Sequence, residues 1–104
     1  MSTSFEDLIV WKRSCQMAVA LYNLLKTNRE YFLRDQMLRA AISIPSNIAE
    51  GQARRSVADF RRHLFIALGS LAEVDTQLVL AQEFGYLTTN DMSTITQENS
   101  CLNQ

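Results

Sequence analysis

The sequence predicts an all-α protein, an antiparallel up-down-up-down four-helix bundle with a proline kink in its second helix. Apolar residues recur at steps of three and four over four segments, as on one face of an α-helix. No segment shows the alternation of apolar and polar residues that is typical of a half-buried β-strand. Short turns separate the segments, which favours neighbouring helices that alternate in direction. At 104 residues, the chain is expected to form a single domain, residues 1–104.

Helix one is expected over residues 5–27. Ser4 is its candidate N-cap, with Asp7 in the acidic place of a capping box. We expect one apolar stripe to face the core and a second to lie beside it. The core stripe contains Leu8, Trp11, Cys15, Ala18, Tyr22 and Leu25, and the second contains Val10, Met17, Leu21 and Leu24. The helix should end near Thr27 and Asn28, which compete for local backbone hydrogen bonds.

Helix two is expected over residues 30–54 and contains the only proline, Pro45. A proline inside a helix removes a backbone donor, so we predict a bend with helix on both sides. The apolar residues continue at helical spacing through the proline: Leu33, Met37, Ala40, Ile44 and Ile48. Gly51 is expected close to the C-terminal cap, where glycine is favoured.

Helix three, over residues 57–84, has the most regular pattern in the chain. Its predicted core stripe contains Val57, Phe60, Leu64, Ala67, Leu71, Val74, Leu78 and Ala81. Ser56 with Asp59 predicts its N-cap, and Gly85 its C′ residue. Thr88 with Asp91 begins a short helix four, over residues 89–103, that we expect to be the least stable element.

More apolar surface is present than four helices need for a common core. On helix three, Phe65, Leu68, Ala72 and Val79 lie on a flank of the core stripe. A helix that is apolar on nearly every side is usually buried on every side, so the surplus favours self-association. The alternative is a monomer with scattered exposed apolar residues, which is common in soluble proteins.

Composition excludes several classes of protein. The formal net charge is −1, so the molecule as a whole does not attract nucleic acid or acidic membranes. We find no signal-peptide pattern and no apolar run near the length of a membrane span, so a cytoplasmic location without membrane contact is expected. Cys15 and Cys101, with His63 as the only histidine, do not predict a disulfide framework or a zinc site.

Several runs resemble the small four-helix-bundle proteins that are encoded in intervening sequences of bacterial large-subunit ribosomal RNA genes. These runs are Phe5-Glu6-Asp7-Leu8, Val10-Trp11, Gln36 to Ala41, Ser43-Ile44-Pro45, Asn47 to Gly51, Arg54, Ser56, Phe60, Ile66-Ala67, Gly69-Ser70, Glu73, Leu80-Ala81 and Gly85-Tyr86-Leu87. The same family includes the accessory variability protein of diversity-generating retroelements. The resemblance implies a ring-shaped homopentamer and a role with RNA or DNA. That relative is strongly basic, whereas this chain is mildly acidic.

Catalytic patterns are weak, and we predict neither an enzyme nor a bound cofactor or metal. His63 follows Arg61 and Arg62 and is expected at the surface. Glu73 and Asp75 are two residues apart, so they should point to different faces of their helix. The three glycines are isolated from one another, which excludes a glycine-rich phosphate loop.

A polar group lies around the proline, and Pro45, Asn47, Glu50 and Gly51 form its candidate structural motif. In a functional interpretation, Asn47 and Glu50 belong to a polar site. In a structural interpretation, which we favour, they satisfy each other, backbone groups freed by the proline, or Arg39 and Arg54.

Basic residues concentrate in the turn between helices two and three, which we name the arginine corner: Arg54, Arg55, Arg61 and Arg62. Residues 54–62 contain these four and Asp59, a local charge of +3, while the remaining six basic and ten acidic residues sum to −4. Guanidinium groups can bind phosphate oxygens in a forked geometry. Phe60, the one aromatic residue between the arginines, belongs to the predicted core stripe of helix three, so base stacking at the corner is not predicted. The alternatives are a solvated corner or ion pairs across a subunit interface, and a structural or protein-partner scaffold with no nucleic-acid role.

Overall fold

The computed structural model describes the backbone of residues 5–102 and the side chains of residues 6–95. Within these residues there are four α-helices and no strands: α1 (Phe5–Leu25), α2 (Tyr31–Ala53), α3 (Val57–Glu83) and α4 (Thr89–Leu102). The predicted all-α class is therefore confirmed. Each helix end lies within two residues of its predicted position. The cap predicted at Ser4, the side chain of Cys101 and the predicted helical residue 103 lie outside the described part of the chain.

The helices do not contact each other equally. α2 and α3 form the most extensive interface, α1 packs against α2 and α4, and α3 touches α4 only slightly. Length alone is not the reason, because α4, with 14 residues, packs well against α1. At 1.5 Å per residue, α4 is about 20 Å long and α3, with 27 residues, about 40 Å. α4 therefore lies mainly against α1, and α3 has α2 as its main neighbour.

The core is apolar and is assembled from one stripe on each helix. Its buried members are Met17, Leu21, Leu25, Met37, Ala40, Ala41, Ile44, Ile48, Ala67, Val74, Leu78, Ala81, Leu87 and Ile95. The stripes predicted on α2 and α3 face this core, with Leu33, Leu64 and Leu71 packed at its edge. Val57, at the start of α3, is exposed, unlike the other members of its predicted stripe.

The predicted core stripe of α1 is only partly correct. Leu25 of that stripe is buried and Ala18 packs against the core, but Leu8, Trp11 and Tyr22 are exposed. Met17 and Leu21 of the neighbouring stripe are buried, at 2% and 0% exposure, whereas Val10 of that stripe is exposed. Both stripes are apolar at helical spacing, so periodicity alone did not distinguish them. The packing of α1 against both α2 and α4 decides which one is buried.

The caps predicted at Ser56, Gly85 and Thr88 are present. The hydroxyl of Ser56 accepts a 3.0 Å hydrogen bond from the backbone N–H of Asp59. Thr88 and Asp91 form a reciprocal capping box with bonds of 2.8 and 3.1 Å. Gly85 has φ of +82°, the left-handed conformation expected just after a helix. These three signals fix where α3 begins and ends and where α4 begins.

α2 runs through its proline without a break. Pro45 is buried inside the helix, and the residues on both sides are helical, as expected. The bend itself stays a prediction. Gly51 lies within the last turn rather than beyond it, because the helix continues to Ala53. The cap residue is Arg54, whose backbone N–H donates to the carbonyl of Gly51 at 3.2 Å.

α3 presents a large apolar surface to solvent. Phe65, Leu68 and Val79 are 70%, 59% and 56% exposed. By length and composition alone, α3 is apolar enough to cross a membrane, and 28% of its most apolar window is buried. This corrects the expectation that no apolar run approaches the length of a membrane span. Glu73 and Asp75 interrupt the apolar run of α3, but its mean hydropathy stays high enough for a span. The surplus apolar surface expected on this helix is thus not covered within one chain.

Candidate nucleic-acid interface

The arginine corner lies where α2 ends and α3 begins. Arg54 caps α2 in an extended conformation, with φ −78° and ψ 155°, and Arg55 follows in the turn. Arg61 and Arg62 lie in the second turn of α3, and all four side chains are exposed. The Ser56 cap begins α3 directly after the first pair and so keeps the turn short. The fold therefore places both pairs at one end of the α2–α3 hairpin.

Only one of the four guanidinium groups has a partner among the described residues. Arg54 Nη2 lies 3.1 Å from Glu50 Oε1, one helical turn earlier, with both side chains about half exposed. Such an exposed pair contributes little to stability, about 0.3–0.5 kcal/mol. Arg55, Arg61 and Arg62 make no ion pair or hydrogen bond in this part of the chain, so three cations are available to an anion.

Behind the corner, a chain of polar side chains crosses the α2–α3 interface. We name it the polar seam: Ser43, Asn47, Glu50, His63 and Ser70. Asn47 Nδ2 donates to the carbonyl and to the hydroxyl of Ser43, at 2.8 and 3.0 Å. Ser70 Oγ donates to Ser43 Oγ at 2.8 Å. Because His63 faces Asn47 and Ser70 faces Ser43, α2 and α3 run antiparallel.

His63 is buried, which corrects the predicted surface position. Its side chain is 4% exposed, and Nδ1 lies 3.1 Å from Asn47 Oδ1. Since the Asn47 amide nitrogen is used on Ser43, Oδ1 acts as the acceptor and His63 Nδ1 carries the proton. Nε2 is buried without a hydrogen-bond partner among the described residues. The surface prediction for His63 was based on its neighbours Arg61 and Arg62. These are adjacent to His63 in the chain, but they point away from the core.

Gly51 makes this burial possible. A Cβ built on Gly51 would lie 2.9 Å from His63 Cβ and 3.4 Å from the ring of Phe60. Real side chains do not approach so closely, so only glycine lets α3 approach α2 at this level. The role of Gly51 is therefore close helix packing. Gly51 thus has a structural role in the predicted motif. The C-terminal cap of α2, which we expected close to Gly51, is Arg54, three residues later.

Asn47 and Glu50 use their polar atoms on neighbouring side chains and on the backbone carbonyl of Ser43. Asn47 bonds Ser43 and His63 rather than Ala41, whose carbonyl loses its helical donor at Pro45. Glu50 contacts Arg54, and its other oxygen lies 3.9 Å from His63 Nδ1. Of the partners that the structural interpretation named, Arg54 is found, on Glu50, whereas the contacts with Ser43 and His63 were not expected. Arg39, the other partner considered, is exposed and takes no part in the seam.

An aromatic ring stands beside the arginines, which the sequence analysis missed. Phe65 is one helical turn beyond Arg61 and is 70% exposed. A shallow depression of about 550 Å³ on the outer surface of α3 is lined by Ala58, Arg61, Arg62, Phe65 and Ile66. The sequence analysis considered only residues 54–62 and therefore left out Phe65. Residues four apart on a helix are neighbours, so the spacing between Arg61 and Phe65 was a signal that could have revealed this arrangement.

Other chemistry has little support in the described residues. No three side chains of His, Cys, Asp or Glu come together as a metal site there. Burial raises the pKa of the Cys15 thiol, which makes it a poor nucleophile. Glu73 and Asp75 are both exposed on α3.

The fold and site define a class of protein, a small all-α helical domain with a basic corner and a polar helix–helix contact. Within that class, the model of the 23S rRNA-intervening sequence protein family matches residues 6–104, so the chain belongs to this family. A crystal structure of a protein of unknown function from the S23 ribosomal protein family of Bacteroides thetaiotaomicron is similar, with 30% identity and a TM-score of 0.78. The match covers 94% of this chain and 95% of that one. No curated protein matches the chain. Neither description is that of an enzyme.

Proposed function

We propose that this protein is a non-enzymatic oligomeric scaffold that contacts RNA or DNA through the arginine corner. The observation that carries the proposal is the exposure of Arg55, Arg61 and Arg62 with no partner among the described residues. Guanidinium groups form forked hydrogen bonds with phosphate oxygens, and such contacts position a nucleic acid without reading its sequence. The family's link to 23S rRNA supports RNA as the polyanion, and a cytoplasmic location is part of the proposal.

The scaffold behind the corner supports this function because it is built to be rigid. The polar seam joins α2 to α3 along their interface, beginning at His63 next to Arg62, and Gly51 brings the two helices close together. Glu50 also holds Arg54 within 3.1 Å. A rigid hairpin loses little conformational entropy when its cations bind an anion.

Self-association would strengthen the site. The exposed apolar residues of α3, including Leu68 and Val79, form a surface that a second copy can cover. A ring would repeat the corner once per subunit and build a basic surface that a single chain lacks. We propose a homopentamer, so light scattering should give about five times the monomer mass. A monomer at micromolar concentration would refute this part of the proposal.

The test compares the wild type with a variant in which Arg54, Arg55, Arg61 and Arg62 are all Gln, using fluorescence anisotropy with a structured RNA and a single-stranded DNA. A matched control removes the same number of charges from exposed positions elsewhere: Lys12, Lys26, Arg29 and Arg39, all to Gln. We expect the corner variant to lose binding and the control to keep most of it. Wild-type affinity should also fall steeply between low and physiological salt, because binding releases counterions from the nucleic acid.

A structural or protein-partner scaffold without a nucleic-acid role is the second candidate. The observation that favours it is the formal net charge of −1, which repels a polyanion outside the corner. Equal binding by the corner variant and the wild type, or no binding by either while the oligomer stays intact, would support this candidate instead.

A further inference from the structure

Phe65 stands on the outward face of α3 with open space around it. Its ring is 70% exposed, although a phenylalanine in a folded chain is usually buried. Two residues on this face are small, Ala58 two turns earlier and Gly69 one turn later. A Cβ built on Gly69 meets no heavy atom within 4 Å. The ring therefore has an unobstructed surface.

The same face carries two of the corner's cations. Arg61 and Arg62 precede Phe65 by four and three residues, the separations at which helical side chains are neighbours, with Cβ atoms about 5–6 Å apart. Both arginines and the ring line one shallow depression, and no carboxylate of the described residues lines it. A planar apolar surface and two phosphate-binding groups thus lie within the reach of one nucleotide.

We propose that this face of α3 is a binding site for single-stranded nucleic acid, in which Phe65 stacks on an unpaired base while Arg61 and Arg62 bind the adjacent phosphates. The inference rests on the proposed function and deepens it, because it names single strands as the substrate class. An aromatic side chain stacks on any exposed base, so affinity should depend little on sequence. In a duplex the bases are already stacked on one another, which leaves the ring nothing to bind.

The experiment measures anisotropy of an unstructured single-stranded RNA and of an RNA duplex of equal length, at the same salt concentration. The main variant is Phe65→Ala, and the matched control is Phe32→Ala, which removes a phenylalanine ring that is 80% exposed at the opposite end of α2 from the corner. We expect Phe65→Ala to weaken single-strand binding roughly tenfold, as loss of one stacked base does, and to leave duplex binding unchanged. Phe32→Ala should change neither.

Phe65→Trp supplies a direct readout of stacking. It is made in a Trp11→Phe background, since Trp11 is the only native tryptophan. We expect single-strand affinity at least equal to that of the wild type. We also expect quenching of indole emission when the single strand binds and no quenching when the duplex binds.

Three results would overturn the inference, and each leaves a different account standing. If the arginine variant loses binding but Phe65→Ala does not, the corner binds phosphate without stacking and the proposed function stands. If Phe65→Ala dissociates the oligomer in light scattering, the face is a contact between copies of the chain. If the wild type binds neither the single strand nor the duplex, the proposed function fails and this inference fails with it.

Discussion

The Cβ of His63 lies 2.9 Å from the point that a Cβ on Gly51 would occupy, so these two residues set how closely α2 and α3 approach. We predict that Gly51→Ala lowers the free energy of unfolding by about 1–3 kcal/mol, because the methyl group pushes α3 away from α2. Urea denaturation at a fixed protein concentration measures the change. Unchanged stability would show that the interface can shift at no cost.

Gly69 offers the opposite test on the neighbouring helix. It also lies inside a helix, but a Cβ there meets nothing within 4 Å. Gly69→Ala should therefore raise the free energy of unfolding by about 0.5–1 kcal/mol, the usual gain from a better helix former. Thermal unfolding of the two variants side by side separates the packing effect from helix propensity. Changes of the same sign at both positions would contradict the close-packing role of Gly51.

Asn47 connects the members of the polar seam, so its removal should be costly. Asn47→Ala leaves the buried Nδ1–H of His63 without its acceptor. It also removes the amide group that donates a hydrogen bond to the Ser43 hydroxyl. A buried polar group without a partner costs about 1–3 kcal/mol, and urea denaturation should show a loss of that size. The control is Ser46→Ala, at an exposed residue whose single bond within the described residues goes to the Ile42 carbonyl of its own helix. It should stay within about 0.5 kcal/mol of the wild type.

Cys15 should react slowly with alkylating agents in the folded protein. Burial raises the pKa of its thiol, so the thiolate that reacts forms at higher pH than in the unfolded chain. A Cys101→Ser variant allows rates at Cys15 to be followed alone, over a pH series above the ordinary thiol pKa of about 8.5. We expect the rate to keep rising beyond that pH, and urea to accelerate it.

The same shift links Cys15 to stability at alkaline pH. Between the unfolded and the folded pKa, the folded state binds more protons than the unfolded state, so stability falls as pH rises through that interval. Below the unfolded pKa the contribution is constant. Cys15→Ser should remove this part of the alkaline loss. An identical pH profile in the two proteins would show that the thiol does not contribute.

Replacing Pro45 by alanine should keep the helix and change its shape. Alanine supplies a backbone N–H that can donate to the Ala41 carbonyl, which a proline cannot. We expect far-UV circular dichroism with at least the wild-type helix content, together with altered assembly in sedimentation velocity, because the predicted bend changes. If Pro45→Ala instead lowered the helix content, the prediction that α2 is helical without the help of its proline would be wrong.

The sequence predicted the elements well because their signals are local. Ser56, Thr88 with Asp91, and Gly85 act within four residues of where they stand, and each appears at its predicted helix end. The core stripes of α2 and α3 were also predictable from periodicity. For α1, two apolar stripes compete, and the choice between them depends on where α2 and α4 lie. That information is tertiary, so the core stripe of α1 was predicted only in part, with Leu25 buried and Trp11 exposed.

The candidate site was predictable in its charges and not in its contacts. Four arginines in nine residues are visible in the sequence, and the structure places them at one end of a helical hairpin. The burial of His63 depends on the absence of a side chain at Gly51, twelve residues away on another helix. The position of Phe65 next to Arg61 follows from helical spacing but not from adjacency. Contacts of this kind, between residues that are not adjacent in the chain, become visible only in the folded structure.

The dominance of the α2–α3 interface has a consequence for how the chain reaches this fold. These helices are consecutive and joined by a three-residue turn, so their contacts close over short stretches of chain at little entropic cost. Folding should therefore begin with this hairpin, and α1 and α4 should dock on it later. In native-state hydrogen exchange, the amides around Ile44 and Val74 should then exchange last. Those of α4, whose contact with α3 is slight, should open first.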